Sequence, residues 1–444
     1  MNVIYQFLTF LVVLGIIVLV HELGHYIAAR LMKIRVEVFS FGFGKRLFGK
    51  KIGDTDFRVS LFPVGGYVRM AGEEEVDAAH PSSDQFMAKN RAQKIFVLLM
   101  GPLMNLVLAL VLIIGVNMGG VEIDSYKLEK PVIGYVVKGS PAEKAGLQPG
   151  DTLLAIQGRK TPDWKEVEIT IGLNPKENLK IDFLRAGLSR TTALKVATSS
   201  RYEIGYAGFY WQLPATIDNV VRNYPAWKAG LRPGDRITAV NGHPVGTYFE
   251  LADLIHASPG KAMRLTYLRN GGTLSALLTP VAENGVGIIG FNVRIASTKT
   301  RYGLAAAVEN SFQEAGRLIY MTFDAFKKII QRKISVKSFS GPMEIARVSQ
   351  QALASGFSNF FMLIAFISLQ LGIVNLFPIP GLDGGHLLIF IIEAVIRRDL
   401  NQKLKNILIY AGFAFLISLM VFIVLNDIAK TLPNGWKSML PFLR

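Results

Sequence analysis

The chain has 444 residues, half of them hydrophobic, with 49 Lys and Arg against 33 Asp and Glu. That is too long for one ordinary domain and too apolar for a purely soluble protein. It contains no cysteine, which excludes disulfides within the chain and thiolate metal sites, and the placement of its +16 net charge argues against nucleic-acid binding.

Residues 3–20 form an uncharged apolar run that leads directly into His21, Glu22, Leu23, Gly24 and His25. The run is long enough to enter a bilayer as a helix. With no basic stretch before it and no small-residue cleavage site after it, it reads as a retained span rather than a signal peptide. On a helix, residues four apart share a face, so His21 and His25 can reach one metal ion while Glu22 stands beside it. Two neutral imidazoles, an open position for water and a carboxylate to take its proton are the parts of a zinc hydrolase.

Three further uncharged windows are long enough to span: 95–118, 357–380 and 407–426. Twelve Lys and Arg fall from Arg30 to Lys94, and Arg397, Arg398, Lys403 and Lys405 precede the last window. By the positive-inside rule both basic connections are cytoplasmic. Both termini and the long segment between the second and third windows then face outward.

Between the first two windows, residues 33–94, the chain turns polar and Gly-rich. Residues 56–70 read as two short strands around Pro63, Val64, Gly65 and Gly66, with Phe57, Val59 and Leu61 alternating with polar neighbours and Tyr67 opening the second strand. Two readings stand side by side: a solvated cytoplasmic hairpin, or an edge that pairs with extended substrate by strand addition. A protease needs extended substrate, because a helix hides its carbonyls in internal hydrogen bonds. In the second window Pro102 removes a backbone donor and Asn105 is costly in lipid, so both are expected to face protein. Gly101 beside them is expected to serve helix packing, and Asn105 is grouped with the substrate-binding residues.

An internal repeat follows. G-S-P-A-E-K-A-G-L-Q-P-G-D from Gly139 recurs as N-Y-P-A-W-K-A-G-L-R-P-G-D from Asn223, 84 residues later. Two copies at that spacing predict tandem domains, 121–203 and 204–297, rather than a solenoid. Each resembles a PDZ domain of the bacterial, permuted kind. Residues 304–334 have apolar positions three and four apart, predicting an amphipathic helix that lies on the membrane surface or packs on the PDZ portion, with a second such helix near 341–355.

The third window ends in N-L-F-P-I-P-G-L-D-G-G-H, from Asn375 to His386. Prolines and glycines break the helix here, and irregular backbone at membrane depth is tolerated only where it lines a site within protein. Asp383, just past the uncharged window 357–380, is a functional-site candidate by default. The first and third spans run in the same direction, so His21 and Asp383 both arrive near the cytoplasmic boundary, ~30 Å from the outer surface. A zinc site of His21, His25 and Asp383 follows, with His386 as a competing but lower-ranked third ligand.

These motifs resemble the site-2 proteases, a family of intramembrane zinc metalloproteases, nearly end to end. The family's H-E-x-x-H matches His21, Glu22 and His25, and its N-x-x-P-x-P-x-L-D-G matches Asn375, Pro378, Pro380, Leu382, Asp383 and Gly384. The resemblance implies four transmembrane helices with two tandem PDZ domains inserted between the second and third, in a bacterial inner membrane. It implies Zn2+ as cofactor, Glu22 as catalytic base, and Asn375, Pro378 and Pro380 as substrate-binding residues. It further implies substrates that are single-pass membrane proteins, such as anti-sigma factors and signal-peptide remnants, with entry gated by the PDZ pair. The hairpin carrying Phe57, Val59, Leu61 and Tyr67 then resembles a membrane-reentrant loop that handles substrate, and hydroxamates are expected inhibitors.

Overall fold

A computed structural model describes residues 2–73, 82–198, 204–283, 285–333 and 341–431. The chain divides into two compact units. One comprises Met1–Val121, Thr300–Lys327 and Phe339–Arg444; the other comprises Glu122–Lys299 and Lys328–Ser338.

In the first unit, four helices among the described residues are long and apolar enough to cross a membrane: Ile4–Leu31, Arg91–Gly119, Phe357–Asn375 and Lys403–Lys430. The first continues through His21 and His25 to Leu31, so both histidines lie inside a regular helix. The second begins at a capping box: Asn90 Oδ1 accepts from Gln93 N–H at 2.9 Å and Gln93 Oε1 accepts from Asn90 N–H at 3.1 Å. That cap starts the helix ahead of its uncharged window. The third stops at Asn375, short of the window's end, because Pro378 and Pro380 offer no N–H to continue it. The next helix, Asp383–Ile396, starts almost at once. Small residues bring these helices together. A β-carbon at Gly24 would strike the Met100 carbonyl, and one at Gly372 would lie 2.9 Å from the Pro102 carbonyl oxygen.

The amphipathic helix Leu304–Ile330 packs along the second and third spans. Ala315 joins Ala109, Ile113, Ala365, Leu369 and Ile373 in one buried cluster. Ala307, Ser311 and Ala315 repeat every four residues, so their small side chains form a flat stripe that fits closely. Asn117 Nδ2 donates to Ser311 Oγ at 2.9 Å, and Gln370 Nε2 donates to Thr322 Oγ1 at 2.8 Å. A shorter helix, Pro342–Ala354, is held at its start by the last span: Asp427, 3% exposed, accepts from Gly341, Met343 and Glu344 N–H at 2.9, 3.1 and 3.2 Å. A carboxylate there neutralises donors that the helix itself leaves unpaired.

The expected hairpin is more folded than its alternation suggests. Strands Val36–Ile52 and Thr55–Met70 pair so that Val38 lies opposite both Asp56 and Arg69, and Phe39 opposite both Phe57 and Val68. The first half of one strand is therefore flanked on both sides by segments of the other. Partner numbers rise together along Asp56 to Val59 and fall along Gly66 to Met70, so the flanking segments run in opposite directions. The reversal falls at Pro63–Gly66, where Gly65 takes φ +150°.

The second unit contains the repeat. Each copy has a four-stranded antiparallel sheet, ordered Arg159–Lys160, Thr152–Ile156, Asn178–Arg185, Leu188–Lys195 in the first and His243–Pro244, Arg236–Val240, Met263–Arg269, Gly272–Leu278 in the second. Each copy has its own apolar core, around Leu153, Ile181 and Leu194 or around Ile237, Leu251 and Leu265. Each also carries a buried aspartate held bidentately by an arginine, Asp151 by Arg185 and Asp235 by Arg269, with all four N–O distances 2.7 Å. The two pairs sit at the same positions of the repeat, 84 residues apart. Phe209–Tyr210 pairs with Tyr135–Val136 of the first copy, and from there Tyr210 stacks on Phe249 of the second at 4.2 Å while Tyr135 donates to Asp253 at 2.7 Å, joining the copies.

Candidate metal centre

One helical turn separates His21 from His25, and their Nε2 atoms lie 3.3 Å apart. The break after Asn375 turns the chain back on itself. Gly381 adopts φ +95°, and β-carbons at Gly384 and Gly385 would collide with the Phe377 and Ile379 carbonyls. That tight return delivers Asp383, in the first turn of its helix, to the histidines: Oδ2 lies 3.1 Å from His21 Nε2 and 3.5 Å from His25 Nε2. Both imidazoles are 7% exposed. Among the described residues these three form a group whose donor atoms all lie within 4.8 Å of one another, and His386 does not belong to it.

The donor set fits a tetrahedral cation. Zinc bonds of ~2.05 Å imply ligand-to-ligand separations of ~3.4 Å, and the three separations here are 3.1, 3.3 and 3.5 Å. Asp383 Oδ2 is buried and makes no hydrogen bond. His25 Nδ1 donates to the Val97 carbonyl at 2.9 Å, so the neutral ring leaves a lone pair on Nε2, facing the carboxylate. A lone pair and a carboxylate oxygen aimed at each other repel unless a cation sits between them.

The second span supports this arrangement from one face. Val97, Gly101 and Asn105 are four residues apart, matching the four-residue step from His21 to His25. Gly101 does more than pack helices: any β-carbon there would overlap the His25 ring at Nε2. Asn105 is fully buried, with Nδ2 3.2 Å from His21 Nδ1. Asn375 Nδ2 lies 3.4 Å from His21 Nε2.

Glu22 stands on the adjoining flank. A β-carbon at Gly66 would meet Glu22 Cγ at 3.1 Å, and the Val68 backbone N–H lies near the Glu22 carboxylate. The strand segment 66–68 thus runs directly past it. The other hairpin residues are placed variously. Phe57 packs edge-on to Tyr26 with ring centroids 5.5 Å apart, Tyr67 bonds Arg58 and stacks over Phe43, Val59 is half-buried and Leu61 is exposed. Pro378 is exposed, while the Pro380 carbonyl lies against Gly412 of the last span.

Two histidines, one carboxylate and a neighbouring glutamate, set among membrane-length helices, define a metal-dependent peptidase of the membrane. The model of peptidase family M50 matches residues 9–419, and the chain belongs to that family. It is 31% identical to the regulator of sigma E protease of Haemophilus influenzae, across 97% of this chain and 100% of that protein. It is 30% identical to the regulator of sigma-E protease RseP of Escherichia coli, with the same coverage. The protein is a zinc metalloprotease. Among solved structures, the PDZ domain of the SdrC-like protein from Listeria monocytogenes matches 19% of this chain and 90% of its own at 24% identity, with a TM-score of 0.17.

Proposed function

We propose that this protein cuts the membrane-spanning segments of single-pass proteins, anti-sigma factors and signal-peptide remnants among them, as a multi-pass site-2 protease of the inner membrane. The observation that carries the reading is the convergence of Asp383 on His21 and His25 at 3.1 and 3.5 Å within helices of membrane length. His21, His25 and Asp383 hold Zn2+, with the active site towards the cytoplasmic side. Bound zinc supplies a Lewis acid that acidifies water and polarises a carbonyl.

The chain's own residues do the rest. Glu22 accepts the proton of the attacking water on its carboxylate and returns it to the leaving amine. Segment 66–68, passing beside Glu22, offers its edge to an unwound substrate, which aligns the scissile carbonyl by main-chain hydrogen bonds. Asn375, 3.4 Å from His21 Nε2, orients that carbonyl from the opposite side. Pro378 and Pro380 keep the facing backbone open. Phe57, Val59, Leu61 and Tyr67 hold the hairpin in shape and contact substrate side chains. The two repeats are PDZ domains on the outer side that exclude substrates with large outer domains; their matching sheet orders support a tandem duplication.

Purified protein in detergent is the test. It should hold one zinc per chain and cleave a transmembrane peptide in a chelator-sensitive manner. Metal-free protein that cleaves equally well would reject the reading.

A further inference from the structure

We infer that Asn105 is the acceptor that holds His21 in its metal-binding tautomer, its side-chain amide turned so that Oδ1 faces the ring. It is a positioning residue rather than a substrate contact. Asn105 is 0% exposed, so substrate has no surface of it to touch. Its Oδ1 is buried without a hydrogen-bond partner, while Nδ2 lies 3.2 Å from His21 Nδ1. A neutral imidazole that ligates through Nε2 carries its proton on Nδ1, and that nitrogen then needs an acceptor. With Nδ2 facing it, two donors would meet. Amide oxygen and nitrogen differ little in shape, so their placement is decided by the network. Half a turn about the amide gives His21 Nδ1 an acceptor and Oδ1 a donor.

Two further observations support a fixed support. His25 has the same arrangement with a backbone acceptor, Nδ1 donating to Val97 O, one face of the second span serving both rings. The main chain at Asn105 is itself pinned: Ser368 Oγ, fully buried, donates to its carbonyl at 2.8 Å, and a β-carbon at Gly372 would meet Asn105 Cβ at 3.3 Å. Asn105 cannot drift away from the histidine without unseating the third span.

The inference rests on His21 being a zinc ligand, and the test separates the two. Full-length Asn105→Leu and Asn105→Asp are purified in detergent, and zinc affinity is measured by chelator competition alongside the visible spectrum of the cobalt-substituted protein. Leu keeps the branching and heavy-atom count of Asn but accepts nothing, so affinity should fall ~10–100-fold with an altered cobalt spectrum. Asp accepts but cannot donate, so it should stay within a few-fold of wild type. Wild-type affinity in Asn105→Leu, or loss in folded Asn105→Asp equal to that in Asn105→Leu, would overturn the role of Asn105 while leaving the zinc site standing. Wild-type protein that takes up no metal would overturn both. Should Asn105→Leu fail to fold, 15N-histidine spectra of zinc-loaded wild type decide: His21 Nδ1 protonated supports the inference, and Nδ1 unprotonated refutes it.

Discussion

Gly101 lies against the imidazole of His25 so closely that a methyl group in place of its hydrogen would sit 2.1 Å from Nε2, far inside contact distance. Gly101→Ala must therefore push the ring off the metal or pry the first two spans apart. Zinc affinity should drop at least ~10-fold and peptide cleavage with it, by metal titration and a cleavage assay on the same preparation. Wild-type zinc affinity and cleavage together would overturn the close contact between Gly101 and His25.

Glu22 and the ligands should fail differently. Glu22→Gln removes the base and no ligand, so cleavage should fall by at least ~100-fold while zinc stays bound. His21→Ala, His25→Ala and Asp383→Ala should lose zinc as well. Full zinc in Asp383→Ala together with loss in His386→Ala would move the third ligand.

Hydroxamates, which chelate through two oxygens, should inhibit by taking the open coordination position. Binding that survives metal removal would contradict such a position.

The repeats offer a pH test outside the membrane. Burial pushes the Asp235 carboxyl up, but the Arg269 hydrogen bonds, the Arg232 N–H and the guanidinium charge outweigh it and leave it below the ordinary 3.8. A carboxyl depressed in the folded state stabilises above its unfolded value and loses that contribution as pH falls through the folded one. Hydrogen-exchange protection of Arg236–Val240 and Met263–Arg269 should hold steady to about pH 4 and fall only below it. Arg269→Ala removes the opposing charge, so the loss should begin at higher pH. It should also destabilise the second repeat, because the buried Asp235 carboxylate then loses the guanidinium that holds it. The Arg185→Ala effect should stay within the first repeat.

Replacing residues 121–297 by a flexible linker should spare the peptide-bond chemistry but raise the relative cleavage of substrates with untrimmed outer domains. The informative quantity is the ratio of rates for trimmed and untrimmed forms of one substrate. An unchanged ratio would reject gating.

Much of this was legible because the chemistry is local. His21, Glu22 and His25 lie within five residues, and the 84-residue repeat copies its turns nearly letter for letter. Asp383 stood out because a charge at the end of a long apolar window is rare. What escaped is non-local. Nothing in the sequence near Asp427 indicates that it accepts from a helix start 83–86 residues earlier. Alternation finds strands but not their partners, so the doubled pairing of Val38 and Phe39 was invisible. The amphipathic period of Leu304–Ile330 revealed an apolar face, expected on the membrane surface or the PDZ portion, whereas Ala315 packs against the second and third spans. Its stripe of Ala307, Ser311 and Ala315, small residues suited to a helix-on-helix seam, was the available signal.

The ladder formed by Val97, Gly101 and Asn105 against His25 and His21 also works as a vernier. Sliding one span past the other by a single helical turn, ~5.4 Å, would set every rung against the wrong tooth and strip both imidazoles of their supports at once. Keeping both rings supported through turnover therefore requires the first two spans to travel as one block, and leaves any opening for substrate to the elements around it.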